Sequence, residues 1–428
     1  MWIIAGQASA FAGGIFLVRA ITEILSPQQY GILALAMTFV SLCQQVVFAG
    51  PGAAAMRFYA TGIESQQLPS LVKAAVKLAF KMVACSLMLF PFSIALLWLN
   101  HATVYILLAC ATFLFALLTN TPAIADGLQH AARNRSTVAL HQGLASWLRV
   151  AGAIIIASMF GPSSTTVMYG YAASAGLILI SQIYFCTKIL IREKRLCKQT
   201  HHKAKELPAG WNWYSIVKEY AMPFAMWGLP CWMHAASARW AIQIFSSTDE
   251  VGLYAVLFQI GFYPIAMVSG FIVQLVTPIM FSHAGTGKDQ GRRHKARKTG
   301  VLILSMVVLL AVSATMLAMK LHSQIFAILV AERYATVSYL LPALVLSSGI
   351  HLIGEVASIL LMSETTSRGL LIPKICTSFA GMILTFIAVC ALGLNGAILA
   401  SVVTSVAYTT WVLLLVVSNA SVSTQHER

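Results

Sequence analysis

The chain has 428 residues, of which 59 % are hydrophobic and only 10 % charged, and its mean hydropathy is +0.80. That composition leaves too little polar surface for a soluble globule of this size, and the ten-residue alternation of an outer-membrane barrel is absent, so the chain reads as an all-α polytopic membrane protein. The formal charge of +15 excludes nucleic acid as the natural partner, because the basic residues sit in connections between apolar runs and form no patch on a soluble module.

Cut at polar turns, the apolar runs predict about twelve membrane-spanning helices: 2–24, 31–48, 78–99, 103–124, 140–160, 167–190, 216–245, 251–281, 299–319, 339–362, 370–392 and 397–417. The first run opens at Trp2 without a basic lead or a small-residue cleavage site and reads as a retained helix, not a signal peptide. The second can continue through Gly50-Pro51-Gly52 as far as Phe58. The eight cysteines are scattered, form no CxxC pair and read as small apolar fillers, so no metal site is expected.

Two hairpin turns echo each other. Arg19 to Gly31, RAITEILSPQQYG, returns as Arg239 to Gly252, RWAIQIFSSTDEVG, at an offset of 220 residues before the turn and 221 after it. An offset of about half the chain predicts two related six-helix lobes. The expected division is 1–190 for the first lobe, 191–215 for a basic linker, 216–420 for the second lobe and 421–428 for a polar tail. Lys and Arg collect after the even-numbered helices, for example Arg57, Lys73, Lys77 and Lys81, then Arg133 and Arg135, then Lys188 to Lys218, then Lys288 to Lys298, and finally Arg368 and Lys374. Cytoplasmic flanks carry that excess, so both termini are expected in the cytoplasm and the pseudo-twofold axis along the membrane normal.

The opening hairpin, with Gly13-Gly14, Arg19, Leu25-Ser26, Tyr30-Gly31, Gly50 and Arg57, and the second, with Pro223, Arg239, Asp249 to Tyr254 and Pro278, together resemble polysaccharide-export and O-antigen-type flippases of the multidrug/oligosaccharidyl-lipid/polysaccharide (MOP) superfamily. The family often has an acid directly before the Arg of its seventh helix, where this chain has Ala238. The resemblance implies translocation of a polyprenyl-diphosphate-linked oligosaccharide across the bacterial inner membrane by alternating access, for O-antigen (lipopolysaccharide), capsule or exopolysaccharide biosynthesis. It implies no enzyme activity and no cofactor. Its expected partners are the lipid-linked oligosaccharide, membrane lipids, and a polysaccharide polymerase with its chain-length machinery.

A charge inside a spanning helix costs about 2.5–3.5 kcal/mol at the helix centre and therefore faces a cavity or a partner. Arg149 lies nine residues beyond the start of the fifth run, about 13 Å deep at 1.5 Å per residue, and is read as an anion contact or as a tie to an acid such as Asp126. Arg19 and Arg239 occupy equivalent repeat positions, which places them on opposite walls of one cavity in this reading, although Glu23 is four residues from Arg19 and can neutralise it. Arg57 is read either as a phosphate contact at the cytoplasmic mouth or as an ordinary positive-inside residue. Arginine suits such a substrate because its planar fork stays charged and matches clustered phosphate oxygens. His351 and Glu355 share one face of the tenth helix and are read either as an ion-coupling pair or as an interhelical hydrogen bond.

Gly13-Gly14, Pro223, Gly228, Pro230 and Pro264 are read either as bending points or as static kinks that only assist packing, and Trp98, Trp211, Trp213, Tyr214 and Tyr339 as interface anchors. Two other functions stay open at this stage. A multidrug exporter of the same superfamily would need acids in its cavity, and only Glu355 stands clearly away from helix ends. A membrane polymerase or glycosyltransferase would need converging acid/base residues in a large outer loop, where only Asp249, Glu250 and Glu332 are found. No GxxxxGK[ST] phosphate loop is present.

Overall fold

The structure, a computed structural model, describes residues 2–99, 103–199, 207–208, 210–268, 272, 290–363 and 371–425. Linker residues 200–206 with Lys203 and Lys205, and also Pro278, Lys288, Glu364 and Arg368, lie outside the described residues. All regular structure among the described residues is helical. The chain divides into two compact units: Met1–Leu25 with Ile32–Trp232, and Ser26–Gly31 with Met233–Arg428.

The first unit contains α1 (Trp2–Ile24), most of α2 (Pro27–Leu42), α3 (Ala49–Arg57), α4 (Tyr59–Glu64), α5 (Leu68–Leu99), α6 (Ile106–Asn120), α7 (Ala123–Ala131), α8 (Arg135–Phe160), α9 (Ser164–Gln199) and the first part of α10 (Trp213–Phe245). The second contains the remainder of α10, then α11 (Thr248–Gly261), α12 (Gln290–Leu329), α13 (Leu341–Ser363) and α14 (Leu371–Gln425).

Nine stretches of the described chain are long and apolar enough to cross a membrane. One of them, Ile372–Ser418, is in fact two helices, because Gly393 takes φ 57 and ψ −137 and breaks α14 into the two arms expected at 370–392 and 397–417. The helices α5 and α10, 32 and 33 residues long, stand where the third and seventh runs were expected. The second run does continue past its Gly-Pro-Gly segment: α2 passes through a π-helical turn at Cys43–Phe48 directly into α3. Pro51 has no N–H to offer the carbonyl of Val47, and the wider turn next to it accommodates the loss.

At two places the helix runs on beyond the expected span for the same reason. α9 runs on to Gln199, so the basic linker begins as helix, and α12 starts at Gln290, well before 299. Residues 191–199 and 290–298 are rich in Arg, Lys, Glu, Gln and Leu, which are good helix formers, and nothing in them stops a helix after it leaves the apolar layer.

In the first unit α1 lies along α8 through small residues. A Cβ on Gly6 would stand 2.5 Å from the Cα of Ala139, one on Gly13 2.6 Å from Ser146 Oγ, and one on Gly143 3.0 Å from Ser9 Oγ. Such a seam lets two backbones approach closely where lipid supplies no hydrophobic drive. Gly13 thus serves close packing. The same holds for Gly228, whose Cβ would meet the Gln45 carbonyl at 2.6 Å. Trp213 is also reassigned: it is a buried core residue against Phe58, and its Nε1–H donates to Gln67 Oε1 at 2.8 Å, so it does not anchor the chain at a lipid interface.

In the second unit both echoed turns are present and pack on each other. Ser26 Oγ accepts the Gln29 N–H at 3.3 Å and Ser247 Oγ accepts the Glu250 N–H at 3.2 Å, the same N-cap built twice. Gly31 abuts the carbonyl of Thr248, and Gly252 abuts the carbonyl of Pro27. Each pair is the other shifted by 221 residues. Farther along, α12 turns an apolar stripe outward, Leu302, Met306, Leu309, Val312, Met316 and Met319, all well exposed as expected of a helix solvated by lipid.

Candidate functional site

Within the first unit α6, α7, α8 and α9 surround a cavity of about 150 Å³ lined by Asp126, His141, Gln142, Arg149, Tyr171 and Gln182 among others. Arg149 reaches it from the middle of α8. The guanidinium lies over two rings, 5.5 Å from the centroid of Phe115 and 5.7 Å from that of Tyr171. The two ring centroids are themselves 5.6 Å apart, so both rings lie on one side of the cation, each contributing about 0.5–2 kcal/mol. Asp126 enters from α7, where Gln182 Nε2–H donates to its Oδ1 at 2.7 Å. Gln182 Oε1 in turn accepts from Gln129 Nε2, and Gln129 is fully buried. This chain of amides holds the carboxylate oriented as an acceptor. His141 is fixed at both nitrogens, by Thr137 O at 2.9 Å and by Ser181 Oγ at 2.9 Å. Gln142 lines the cavity with a buried Oε1 that has no hydrogen-bond partner in the protein.

The second unit has a charged cluster of its own between α13 and α14. Glu355 Oε1 lies 2.8 Å from Lys374 Nζ, accepts from Tyr408 OH at 2.9 Å, and is 3.9 Å from His351 Nε2. The i, i+4 spacing does put His351 beside Glu355, but Lys374, read from sequence only as an inner-flank residue, is the nearer cation. Gly354 allows this closeness, because a Cβ there would meet the Tyr408 ring at 2.8 Å. Arg239 lies over the Phe258 ring at 5.5 Å, with its buried Nε lacking a hydrogen-bond acceptor.

Arg149 is therefore brought into a polar cavity, together with Asp126. Arg19 instead pairs with Glu23 at 2.5 Å, the two side chains being 38 % and 53 % exposed. Arg57 ends α3 as an exposed residue. Sequence reasoning passed over Gln129, His141, Gln142, Gln182, Phe115 and Tyr171. For the glutamines a signal was present: an uncharged amide within an apolar run such as LILISQIYF also has to find a partner.

No family model matches the sequence, and no curated protein is similar to it. Solved structures are. An inward-facing multidrug resistance MATE family transporter of the MOP superfamily aligns at TM-score 0.69 and 13 % identity, covering 96 % of this chain and 95 % of the other. The MATE transporter VcmN of Vibrio cholerae, in a mutant form, aligns at 0.66 and 13 % over 98 % and 94 %. The lipid II flippase MurJ, in an inward closed conformation, gives 0.66 and 13 % over 97 % and 87 %. At these identities the likeness concerns architecture, and it extends over nearly the whole length: the chain has the fold of MOP-superfamily transporters.

Proposed function

We propose that this protein is a flippase that moves a polyprenyl-diphosphate-linked oligosaccharide across the bacterial inner membrane by alternating access, with both termini in the cytoplasm. The observation that carries the reading is Arg149, a permanent cation resting against the adjacent rings of Phe115 and Tyr171 and lining a small polar cavity. Burying a guanidinium is worthwhile where an anion visits it, since the low local dielectric strengthens their attraction. The MurJ likeness supports a lipid-linked substrate, and the inner-flank excess of Lys and Arg supports the orientation. A polymerase and chain-length machinery would act on the delivered product.

A drug exporter is the second reading. It is favoured by Asp126 in the same cavity and by the multidrug transporters among the similar structures. Against it, the Asp126 carboxylate is already engaged by Gln182.

The deciding experiment deletes the protein in its host, restores wild type or Arg149→Ala at equal abundance, and measures lipid-linked oligosaccharide on each membrane face. Cytoplasmic-face accumulation, relieved by wild type and not by Arg149→Ala, is expected. Unpolymerised units accumulating on the outer face would instead make the protein a polymerase. Unchanged glycan with new sensitivity to cationic drugs would make it an exporter.

A further inference from the structure

We infer that one face of α5 around Lys77, together with Tyr214 of α10, holds an anionic phospholipid, its phosphate at Lys77 and Lys81 and an acyl chain beside Val76 and Phe80. The inference needs only that the chain spans a membrane, and it stands apart from the flippase reading.

α5 has two unlike faces where it enters its apolar run at residue 78. Leu71, Ala75 and Leu78 are buried in one cluster with Trp213 and Val217 of α10. Lys73, Val76, Lys77, Phe80 and Lys81 take the opposite face at i, i+3, i+4, i+7 and i+8, and all five are exposed. The lysines form one column at successive steps of four, and Val76 and Phe80, 50 % and 71 % exposed, form another beside it. An uncovered aromatic ring next to ammonium groups, at the depth where the helix meets the apolar layer, matches a ligand with an anionic head and a hydrocarbon body. A soluble anion would use the lysines alone and leave Phe80 uncovered.

The lysines are gathered for a phosphate. Lys77 Nζ lies 5.4 Å and Lys81 Nζ 4.8 Å from the centroid of the Tyr214 ring, so one aromatic side chain draws both ammonium groups towards it. Like charges four residues apart repel, and an anion shared between them relieves that repulsion while it is attracted by both. Among the described residues, none of the ion pairs involves Lys73, Lys77 or Lys81, so no carboxylate of theirs takes that place.

The same arrangement selects an anionic over a zwitterionic headgroup. The ring that would welcome a choline is already faced by two cations, and Lys73 adds a third one turn away. A zwitterion carries its own cation into that field and loses part of what its phosphate gains. A phosphatidylglycerol headgroup carries in only the phosphate and neutral hydroxyls.

The test is native mass spectrometry of the purified full chain in a neutral detergent, titrated with phosphatidylglycerol or phosphatidylcholine of identical acyl chains, with glycerol phosphate as a probe that has no chains. Saturable phosphatidylglycerol binding, several-fold tighter than that of phosphatidylcholine and not displaced by glycerol phosphate, is expected. Lys77→Gln with Lys81→Gln should weaken it by about fivefold for each lysine lost. Lys77→Arg with Lys81→Arg should retain it, and Phe80→Asn should weaken it several-fold with the lysines in place. Lys298→Gln with Lys320→Gln, which removes two exposed lysines elsewhere, should leave it unchanged. Equal binding of the two lipids would overturn the inference, as would wild-type affinity in Lys77→Gln with Lys81→Gln. An equal loss from the Lys298 and Lys320 variant would also overturn it, because net charge and not this face would then be responsible. Displacement by glycerol phosphate would make the surface a site for a soluble anion and overturn it too. None of these outcomes alters what the glycan assay reads.

Discussion

Lys374→Met tests how the second unit carries a charge at depth. The substitution removes the cation 2.8 Å from Glu355 Oε1 and leaves the carboxylate with Tyr408 OH at 2.9 Å and His351 at 3.9 Å. Stripping one partner from a fully buried ion pair costs about 3–5 kcal/mol. Here the two side chains remain 26 % and 36 % exposed, so water screens part of that and about 1–2 kcal/mol is the expected loss. For a unit of roughly 200 residues each kcal/mol shifts the unfolding temperature by about 2–4 °C, so Lys374→Met should lower it by about 2–8 °C in detergent. Glu355→Gln alone should cost less, since a neutral amide can still accept from Tyr408. The decisive variant is the double one. If the charges serve each other, Glu355→Gln with Lys374→Met recovers at least half of the loss caused by Lys374→Met, because no unpaired charge is left. A double variant that falls as far as the sum of the single losses would refute the pairing argument.

Three further outcomes follow from the packing. Gly13→Leu should destabilise the purified protein by about 1–3 kcal/mol through its collision with Ser146, whereas Gly14→Leu next to it, where a Cβ meets nothing within 4 Å, should be close to neutral in the same thermal assay. Arg19→Gln should change stability by less than about 1 kcal/mol, because an exposed i, i+4 pair contributes little. Trp213→Phe should cost about 0.5–1.5 kcal/mol, the net worth of its hydrogen bond to Gln67, because Gln67 is exposed and water can take the donor's place.

The helical plan was legible because lipid imposes it: a run of apolar residues either spans or it does not, and Arg and Lys mark the ends. Even the two-armed α14 could be placed, since Gly393 falls between two runs of spanning length. The site was only partly legible. Arg149 stands out by its cost in an apolar helix, but its ring partners Phe115 and Tyr171 look like any other aromatic residue in a membrane helix. Asp126 and Gln182 are 56 residues apart and meet only because α7 and α9 are neighbours. The pairing of Lys374 with Glu355 was not legible for a physical reason. Near a helix end a lysine satisfies the positive-inside pattern whether it faces lipid headgroups or a carboxylate on the next helix, and composition does not distinguish the two. The helical extensions at the basic ends of α9 and α12 were not legible, because charge ends a membrane span without ending a helix.

The packing of Gly31 on Thr248 and of Gly252 on Pro27 has one more consequence. A contact in which position i meets position j of a copy, while j meets i, is the geometry by which two identical subunits pair about a twofold axis. Here one polypeptide supplies both sides, so a single chain meets itself at this junction as two subunits would. A side chain enlarged at Gly31 and one enlarged at Gly252 press on opposite sides of the same small junction, and the two glycines behave as one position written twice.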